Sequence, residues 1–186
     1  MRWIIFAGRF QPFHLGHFEV VERTINSLCT PATILTLAAV TQETFESSTG
    51  DVAFTHVADE HHLPERNPWS LSTRLWALGG VTNYFRERHP ELQINTTLLP
   101  RPDYGLRVIR SWFPGERSWI VPEAGEMFDE AKVKFFVDSG EKVVRVPDTS
   151  NVSGRILRES WKIGDVEEMR RQLPECVHRA YLDQAS

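Results

Sequence analysis

Residues 3–17 read WIIFAGRFQPFHLGH, and this stretch decides how the rest of the chain is interpreted. Its first five residues form a short apolar run, which is typical of a strand buried on both faces of a parallel sheet. Gly8 ends the run, and Phe18, Val21 and Ile25 then recur at helical spacing. The stretch therefore predicts a buried strand, a polar turn and an amphipathic helix, in that order.

The segments that follow continue this alternation of strand and helix. Residues 32–40 are rich in branched apolar side chains and predict a second buried strand, so that the chain opens as a strand, helix, strand unit. Further strands are predicted over 92–99, 119–121 and 142–146, and helices over 70–88, 126–139 and 154–181, the last broken near Gly164 and at Pro174. This order predicts an α/β fold with one doubly wound, Rossmann-like parallel sheet and helices on both faces. We expect a single domain over 1–186.

Composition narrows the classes of partner. The chain has 186 residues, a formal net charge of -4 and a pI near 6.0, so no general basic field favours nucleic acid or a membrane surface. Cys29 and Cys176 lie far apart and lack the spacing of a metal site, which favours a reducing cytoplasm. The apolar run at the amino terminus is too short for a signal peptide or a membrane span. We expect a cytoplasmic protein that acts on small molecules.

The segment 41–69 shows no sustained periodicity. A connection of this length within a small domain is typical of a lid or a specificity loop, or of partial disorder. Its His56, Glu60, His61 and His62 suggest a metal site, but neighbouring histidines on a polar loop are more often solvated, and we predict no protein-bound metal here.

The turn between the first strand and the first helix carries the chemistry. It leaves the carboxyl end of a parallel strand, where such sheets bind ligands. Gly8 permits close approach of a ligand to the backbone, and Gly16 opens a helix whose free amides attract phosphate. His14 and His17 are three residues apart, so their rings point to the same side of the first helical turn. Both rings can bond phosphate oxygens, more strongly if they are protonated.

Two motifs at opposite ends of the chain carry a family resemblance. GRFQPFHLGH at 8–17 resembles the first signature of the nucleotidyltransferase superfamily related to class I aminoacyl-tRNA synthetases, and most closely that of archaeal-type nicotinamide mononucleotide adenylyltransferases. VSGRILR at 152–158 resembles the second signature of that group. Between them, NPWSLSTR at 67–74 and PRPD at 100–103 are similar to the family's middle helix and its proline and aspartate turn. The resemblance covers most of the chain.

The resemblance implies a site and its substrates. The implied substrates are a nucleoside triphosphate, with Mg²⁺, and a small phosphate-bearing acceptor. We expect no nucleic acid or membrane partner. The oligomeric state is left open, and a homo-oligomer is one possibility. The implied catalytic residues are His14, His17 and Arg158. The implied nucleotide-binding residues are Gly8, Arg9, Phe10, Gln11, Gly16, Ser153 and Gly154. Because Mg²⁺ would be held on phosphate oxygens and water, we expect no carboxylate cage.

Departures from the family pattern concern the acceptor. Arg155 replaces the usual threonine of the second signature, and Val40 and Thr41 replace glycine and serine. After Asp103 the chain reads YGLRVIRSW, without the family's nicotinamide-contacting pattern. We therefore take Arg107, Arg110 and Trp69 as candidate acceptor-binding residues, since arginine binds anionic groups through a planar fork and an indole can stack on a ring.

Several functions fit the sequence. Adenylyl transfer to nicotinamide mononucleotide leads, and the alternative is a cytidylyltransferase that couples CMP from CTP to a small phosphate or phosphonate. A non-catalytic nucleotide-binding module is a further class, disfavoured by the intact His14, His17, Ser153 and Arg158. A relative of a class I synthetase is disfavoured by the acidic charge balance and by the lack of room for a tRNA-binding domain.

Overall fold

The computed structural model describes residues 1–41, 63, 66–123 and 127–183. The strands are β1 (Arg2–Gly8), β2 (Thr33–Val40), β3 (Gln93–Leu99), β4 (Glu116–Pro122) and β5 (Lys142–Val146). The helices are α1 (Leu15–Leu28), α2 (Leu71–Arg88), α3 (Pro102–Trp112), α4 (Met127–Asp138), α5 (Gly154–Ile163), α6 (Val166–Gln172), a short 3₁₀ helix (Glu175–Val177) and α7 (His178–Tyr181). No helix within these residues is long and apolar enough to cross a membrane.

The five strands form one parallel sheet in the order β3-β2-β1-β4-β5. β1 lies at the centre, where Ile5 pairs with Thr36 of β2 on one side and with Trp119 of β4 on the other. From β1 the chain proceeds outward to β2 and β3, and then crosses to β4. This reversal between β1 and β4 creates a crevice beyond the carboxyl ends of the two strands, which is where such sheets bind ligands.

Helices cover both faces of the sheet, which confirms the predicted doubly wound α/β fold. Successive β1 residues point to opposite faces. On one face, Phe6 packs in a core with α1, α2 and the carboxyl-terminal helices, where Tyr181 is fully buried. On the other face, Ile5 packs in a core with α3 and α4. The apolar run at the start of the chain is therefore buried on both sides, as its composition predicts.

Helix α3 is absent from the sequence prediction. The prediction placed a turn at 100–103 and assigned no element to the following residues, whereas the structure forms a helix from Pro102 to Trp112. Pro102 and the non-helical backbone of Gly105 (φ -149°, ψ 18°) obscure the helical signal. The pattern is nevertheless present, since the buried Leu106, Ile109 and Phe113 recur at three- and four-residue intervals.

Most of the predicted loop over 41–69 lies outside the described residues. The suggested metal site of His56, Glu60, His61 and His62 also lies outside them.

Candidate active site

An open pocket of about 640 Å³ occupies the crevice between the carboxyl ends of β1 and β4. The turn after β1 forms one wall, the start of α4 forms another, and the loop after β5 together with α5 forms the third. Arg9 and Arg158, from opposite ends of the chain, both line it. The pocket thus lies where a doubly wound sheet reverses its direction, and where helix amino termini can face a ligand.

His14 and His17 lie together at the amino terminus of α1. His14 occupies the N-cap position with extended backbone (φ -120°, ψ 177°), and its ring stacks on that of His17 with 3.9 Å between centroids. The backbone N–H of His14 donates to Nδ1 of His17 over 3.4 Å. Since Nδ1 accepts this bond, the proton of a neutral His17 ring resides on Nε2. His17 is therefore arranged to donate a hydrogen bond from Nε2.

Both imidazoles are uncharged at neutral pH. Burial lowers the pKa of His14 to about 4; nearby Asp148 opposes this decrease and Arg158 adds to it. Burial also lowers the pKa of His17 well below its ordinary value, and the charges near it, including that of Lys132, act in the same direction. In the ligand-free site, therefore, each ring is a neutral hydrogen-bond donor and not an imidazolium.

The pocket gathers positive charge in an acidic chain. Among the described residues, the cationic side chains that line it are Arg9, Arg66, Lys132, Arg155, Arg158 and Lys162. The acidic ones are Asp129, Asp148 and Glu159. A local excess of cations in a chain of net charge -4 creates a positive field confined to this crevice. Such a field favours a polyanionic ligand.

The second sequence motif lies against the first. Ser153 caps α5, with its Oγ accepting a hydrogen bond from the Arg155 N–H over 3.3 Å. One turn later, Nη1 of Arg158 donates to the carbonyl oxygen of Gln11 over 2.7 Å. The structure therefore brings His14, His17, Ser153, Gly154 and Arg158 to one pocket, although 135 or more residues separate the two groups in the sequence.

Gly16 lies in the first turn of α1, and its lack of a side chain also allows a neighbouring loop to pack closely against this turn. A Cβ on Gly16 would lie 2.6 Å from the Ser150 Oγ and 2.8 Å from a carboxylate oxygen of Asp148. The glycine therefore lets the loop after β5 rest on the start of α1. That contact is one reason why the two motifs meet.

Two other residues of the turn, Phe10 and Gln11, also line the pocket. The side-chain amide of Gln11 donates to the Trp69 carbonyl over 2.8 Å and accepts from the Trp69 N–H over 3.0 Å. The Phe10 ring is buried against Phe6, Phe13 and His17. Both side chains thus hold the turn in place.

The three candidate acceptor residues lie elsewhere. Trp69 is buried, and its ring packs against Trp161 and Tyr181. Nε of Arg110 donates to Glu141 over 2.8 Å, outside the pocket lining. Arg107 is exposed on α3 and is likewise absent from the lining. None of the three candidates lines this pocket. Arg107 and Arg110 belong to α3, which the sequence prediction did not include, so the direction of their side chains was unknown.

Lys132 is a pocket cation that the sequence prediction missed. Its Nζ lies 3.3 Å from the Ala7 carbonyl oxygen and 4.0 Å from Asp129 Oδ1, and 5.5 Å from the centre of the Phe128 ring. No motif includes Lys132. The available signal was its position on the helix that follows β4, because that helix starts beside the crevice.

The described residues contain no group of three or more His, Cys, Asp or Glu side chains that could hold a metal ion. The three acidic side chains of the pocket do not form a cage.

Comparisons with known proteins give fold-level likeness only. No family model matches the chain, and no curated protein matches it. Solved structures similar to it include Thermotoga maritima TmcAL bound with alpha-thio ATP, at 10% identity and a TM-score of 0.45, over 99% of this chain and 56% of that one. The apo form of Thermotoga maritima TmcAL is similar at 10% identity and a TM-score of 0.44, over 99% and 57%. This chain thus spans little more than half the length of those proteins.

Proposed function

We propose that this chain is a nucleotidyltransferase, which transfers a nucleotide from a nucleoside triphosphate to a phosphate-bearing acceptor and releases pyrophosphate. One observation carries the proposal. Cationic side chains and two helix amino termini converge with two neutral imidazoles on one open crevice, in a chain that is acidic as a whole. Since this chemistry depends on positioning phosphates and neutralising their charge, the site offers the groups that the reaction needs.

The triphosphate occupies the space between the two motifs. The amino terminus of α5 and Arg158 bind its outer phosphates, because free amides and a guanidinium both favour bound phosphate. His17 donates from Nε2 to an oxygen of the α-phosphate, where negative charge increases during the reaction. Arg9 completes the site from the turn after β1.

The reaction requires no general base. An oxygen of the acceptor phosphate attacks the α-phosphorus in line, a new phosphorus–oxygen bond forms, and the bond to the β-phosphate oxygen breaks. The attacking oxygen is anionic near neutral pH, so no proton has to be removed from it. Mg²⁺ enters with the triphosphate as part of the substrate and neutralises phosphate charge. The chain's own residues orient the phosphates and stabilise their charge.

Lys132 defines the acceptor side of the pocket. Its ammonium lies beside the end of β1 and close enough to lower the pKa of His17. Phe128 and Asp129 line the same wall, so this side offers a cation, an aromatic face and a carboxylate. A phosphorylated nucleoside matches all three groups, which favours adenylyl transfer to nicotinamide mononucleotide. Cytidylyl transfer to a small phosphate or phosphonate is the alternative, since the cation alone would suffice for it.

The test is a pyrophosphate-release screen. The four nucleoside triphosphates are each combined with nicotinamide mononucleotide, nicotinate mononucleotide and small phosphate and phosphonate acceptors. Release above the rate without acceptor supports the function and identifies both substrates. No release with any pair, from a chain shown to be folded, would overturn the proposal.

A pair of variants tests the role of His17 within this reaction. His17→Asn keeps an acceptor near the position of Nδ1 but removes the donor at Nε2, and we expect kcat to fall by about 10² to 10³. His17→Gln places a donor near Nε2 and should recover part of that loss. Wild-type kcat in a folded His17→Asn protein would remove this residue from the mechanism.

A further inference from the structure

The turn after β1 is held by side chains from distant parts of the chain. Three successive carbonyl oxygens accept such bonds: Arg9 from Nη1 of Arg74 over 2.9 Å, Phe10 from the Tyr181 hydroxyl over 3.4 Å, and Gln11 from Arg158 over 2.7 Å. The Tyr181 hydroxyl also accepts the backbone N–H of Phe13 over 3.0 Å. Tyr181 therefore bridges both ends of the segment that leads to His14.

The backbone that Tyr181 holds is in an unfavourable conformation. Phe10 has φ of 50°, in the left-handed region that residues with a side chain rarely adopt. Such a conformation persists only when its surroundings enforce it. The buried Phe10 ring supplies part of this restraint, and the bond from Tyr181 to the Phe10 carbonyl supplies another part.

We propose that the carboxyl-terminal segment Glu175–Tyr181 is a positioning element for the phosphate-binding turn, and that it acts through the Tyr181 hydroxyl. The inference rests on the proposed function, because it assigns the turn to phosphate binding. Tyr181 touches no substrate. It sets the position of His14 and His17 by fixing the backbone that precedes them.

The properties of Tyr181 suit this role. It is completely buried, its ring packs edge-on against Trp69, and burial raises the pKa of its phenol. The hydroxyl consequently stays protonated, so that it donates to one backbone group while it accepts from another. A phenylalanine would fill the same space and make neither bond.

Gly80 sets the position of the segment that carries Tyr181. A Cβ on Gly80 would lie 2.3 Å from the carbonyl oxygen of Cys176, in the 3₁₀ helix just before α7. By contrast, a Cβ on the adjacent Gly79 would meet nothing within 4 Å. The close approach of α2 to this backbone therefore requires glycine at position 80 and does not require it at position 79. A side chain there must push the 3₁₀ helix outward and move Tyr181 with it.

The first test compares Tyr181→Phe with Thr82→Val. Thr82 also has a buried hydroxyl in a hydrogen bond, 2.6 Å from the Thr96 hydroxyl and far from the turn, so it controls for the loss of a buried hydroxyl. We expect Tyr181→Phe to speed hydrogen exchange in the 8–17 peptide and to weaken binding of inorganic triphosphate by about tenfold. Thr82→Val should change neither measurement, because a purely structural loss leaves the turn in place.

The second test compares Gly80→Ala with Gly79→Ala. Both substitutions raise helix propensity equally, so any difference between them reports the contact with Cys176. We expect Gly80→Ala to speed exchange in 8–17 and to lower kcat/KM for the triphosphate by tenfold or more, since small displacements of positioning groups have large kinetic effects. Gly79→Ala should match the wild type in both.

The outcomes separate this inference from the proposed function. If the wild type releases no pyrophosphate with any substrate pair, the function fails, while the exchange measurements on ligand-free protein still decide whether Tyr181 holds the turn. If exchange in 8–17 is at the wild-type value in both Tyr181→Phe and Gly80→Ala, and Tyr181→Phe also binds inorganic triphosphate with wild-type affinity, the positioning role is overturned whatever the reaction is.

Discussion

Acid should destabilise the ligand-free protein well above the range in which its carboxylates titrate. The perturbation is a decrease in pH from 7.5 to 5. His14 has an ordinary pKa of 6.5, and burial lowers it to about 4 in the folded protein. Between these values the unfolded chain binds a proton that the folded chain does not. The free energy of unfolding must therefore decrease as the pH falls through this window.

The size of the effect follows from the shift. At pH 5 an unfolded His14 is almost fully protonated and a folded one is almost fully neutral, which costs about 2 kcal/mol at roughly 1.4 kcal/mol per pH unit. His17 adds to the loss, because burial lowers its pKa too. Two carboxylates with lowered pKa values act in a more acidic pH range. Hydrogen bonding to Thr149 lowers the pKa of Glu19. Burial raises the pKa of Glu141, but hydrogen bonds from Arg117, Trp119 and Arg110 outweigh it and lower the pKa overall. Their stabilisation is present above the ordinary carboxylate value of 4.5 and is lost below it.

The assay is equilibrium unfolding in urea at pH 7.5, 6.5, 5.5 and 5, for the wild type and for His14→Gln. Glutamine keeps a polar side chain at the N-cap but does not titrate, so the variant should retain more of its stability at pH 5. The comparison reports the titration of His14 together with its effect on His17, because His14 is one of the groups that lower the pKa of His17. A wild type whose stability is constant between pH 7.5 and 5, or a variant that loses as much as the wild type, would refute the reasoning.

Two further predictions concern the substrates. Excess chelator should abolish pyrophosphate release, because the phosphate charge of the triphosphate would remain unneutralised; undiminished release would show that the protein's cations suffice. Lys132→Met should raise the acceptor KM about tenfold, roughly 1.4 kcal/mol, and leave the triphosphate KM nearly unchanged. Arg110→Met is the matched control, because the guanidinium of Arg110 binds Glu141 outside the pocket. If the acceptor KM rises in Arg110→Met and not in Lys132→Met, the acceptor is bound by α3 and not by Lys132.

Local signals in the sequence were sufficient to predict the strands that form the sheet. The apolar run before Gly8 predicts a strand buried on both faces, and β1 has that burial because its alternate residues enter two different cores. The spacing of apolar residues after Gly16 predicts α1, and the other apolar runs predict the remaining strands. In α3 the same kind of signal was present, but Pro102 and Gly105 obscured it. The position of the crevice can also be predicted, because it lies beyond the carboxyl end of a parallel strand, next to the helix that follows. Both of these elements are recognised from local sequence.

Only the tertiary structure shows which side chains meet at that crevice. Periodicity gives the face on which a residue lies but not the partner across from it. It therefore does not show that Lys132 lies beside the end of β1, or that Trp69 is buried against Tyr181. The neutrality of His14 likewise depends on burial, which arises only when distant segments pack around the ring. The bond from Tyr181 to Phe10 joins residues 171 positions apart. The sequence by itself therefore determined the strands and the two motifs, because these follow from residue type and spacing. The order of the strands, the charge state of the histidines, the position of Lys132 in the pocket and the restraint on the turn depend on contacts between distant residues, and those exist only in the folded chain.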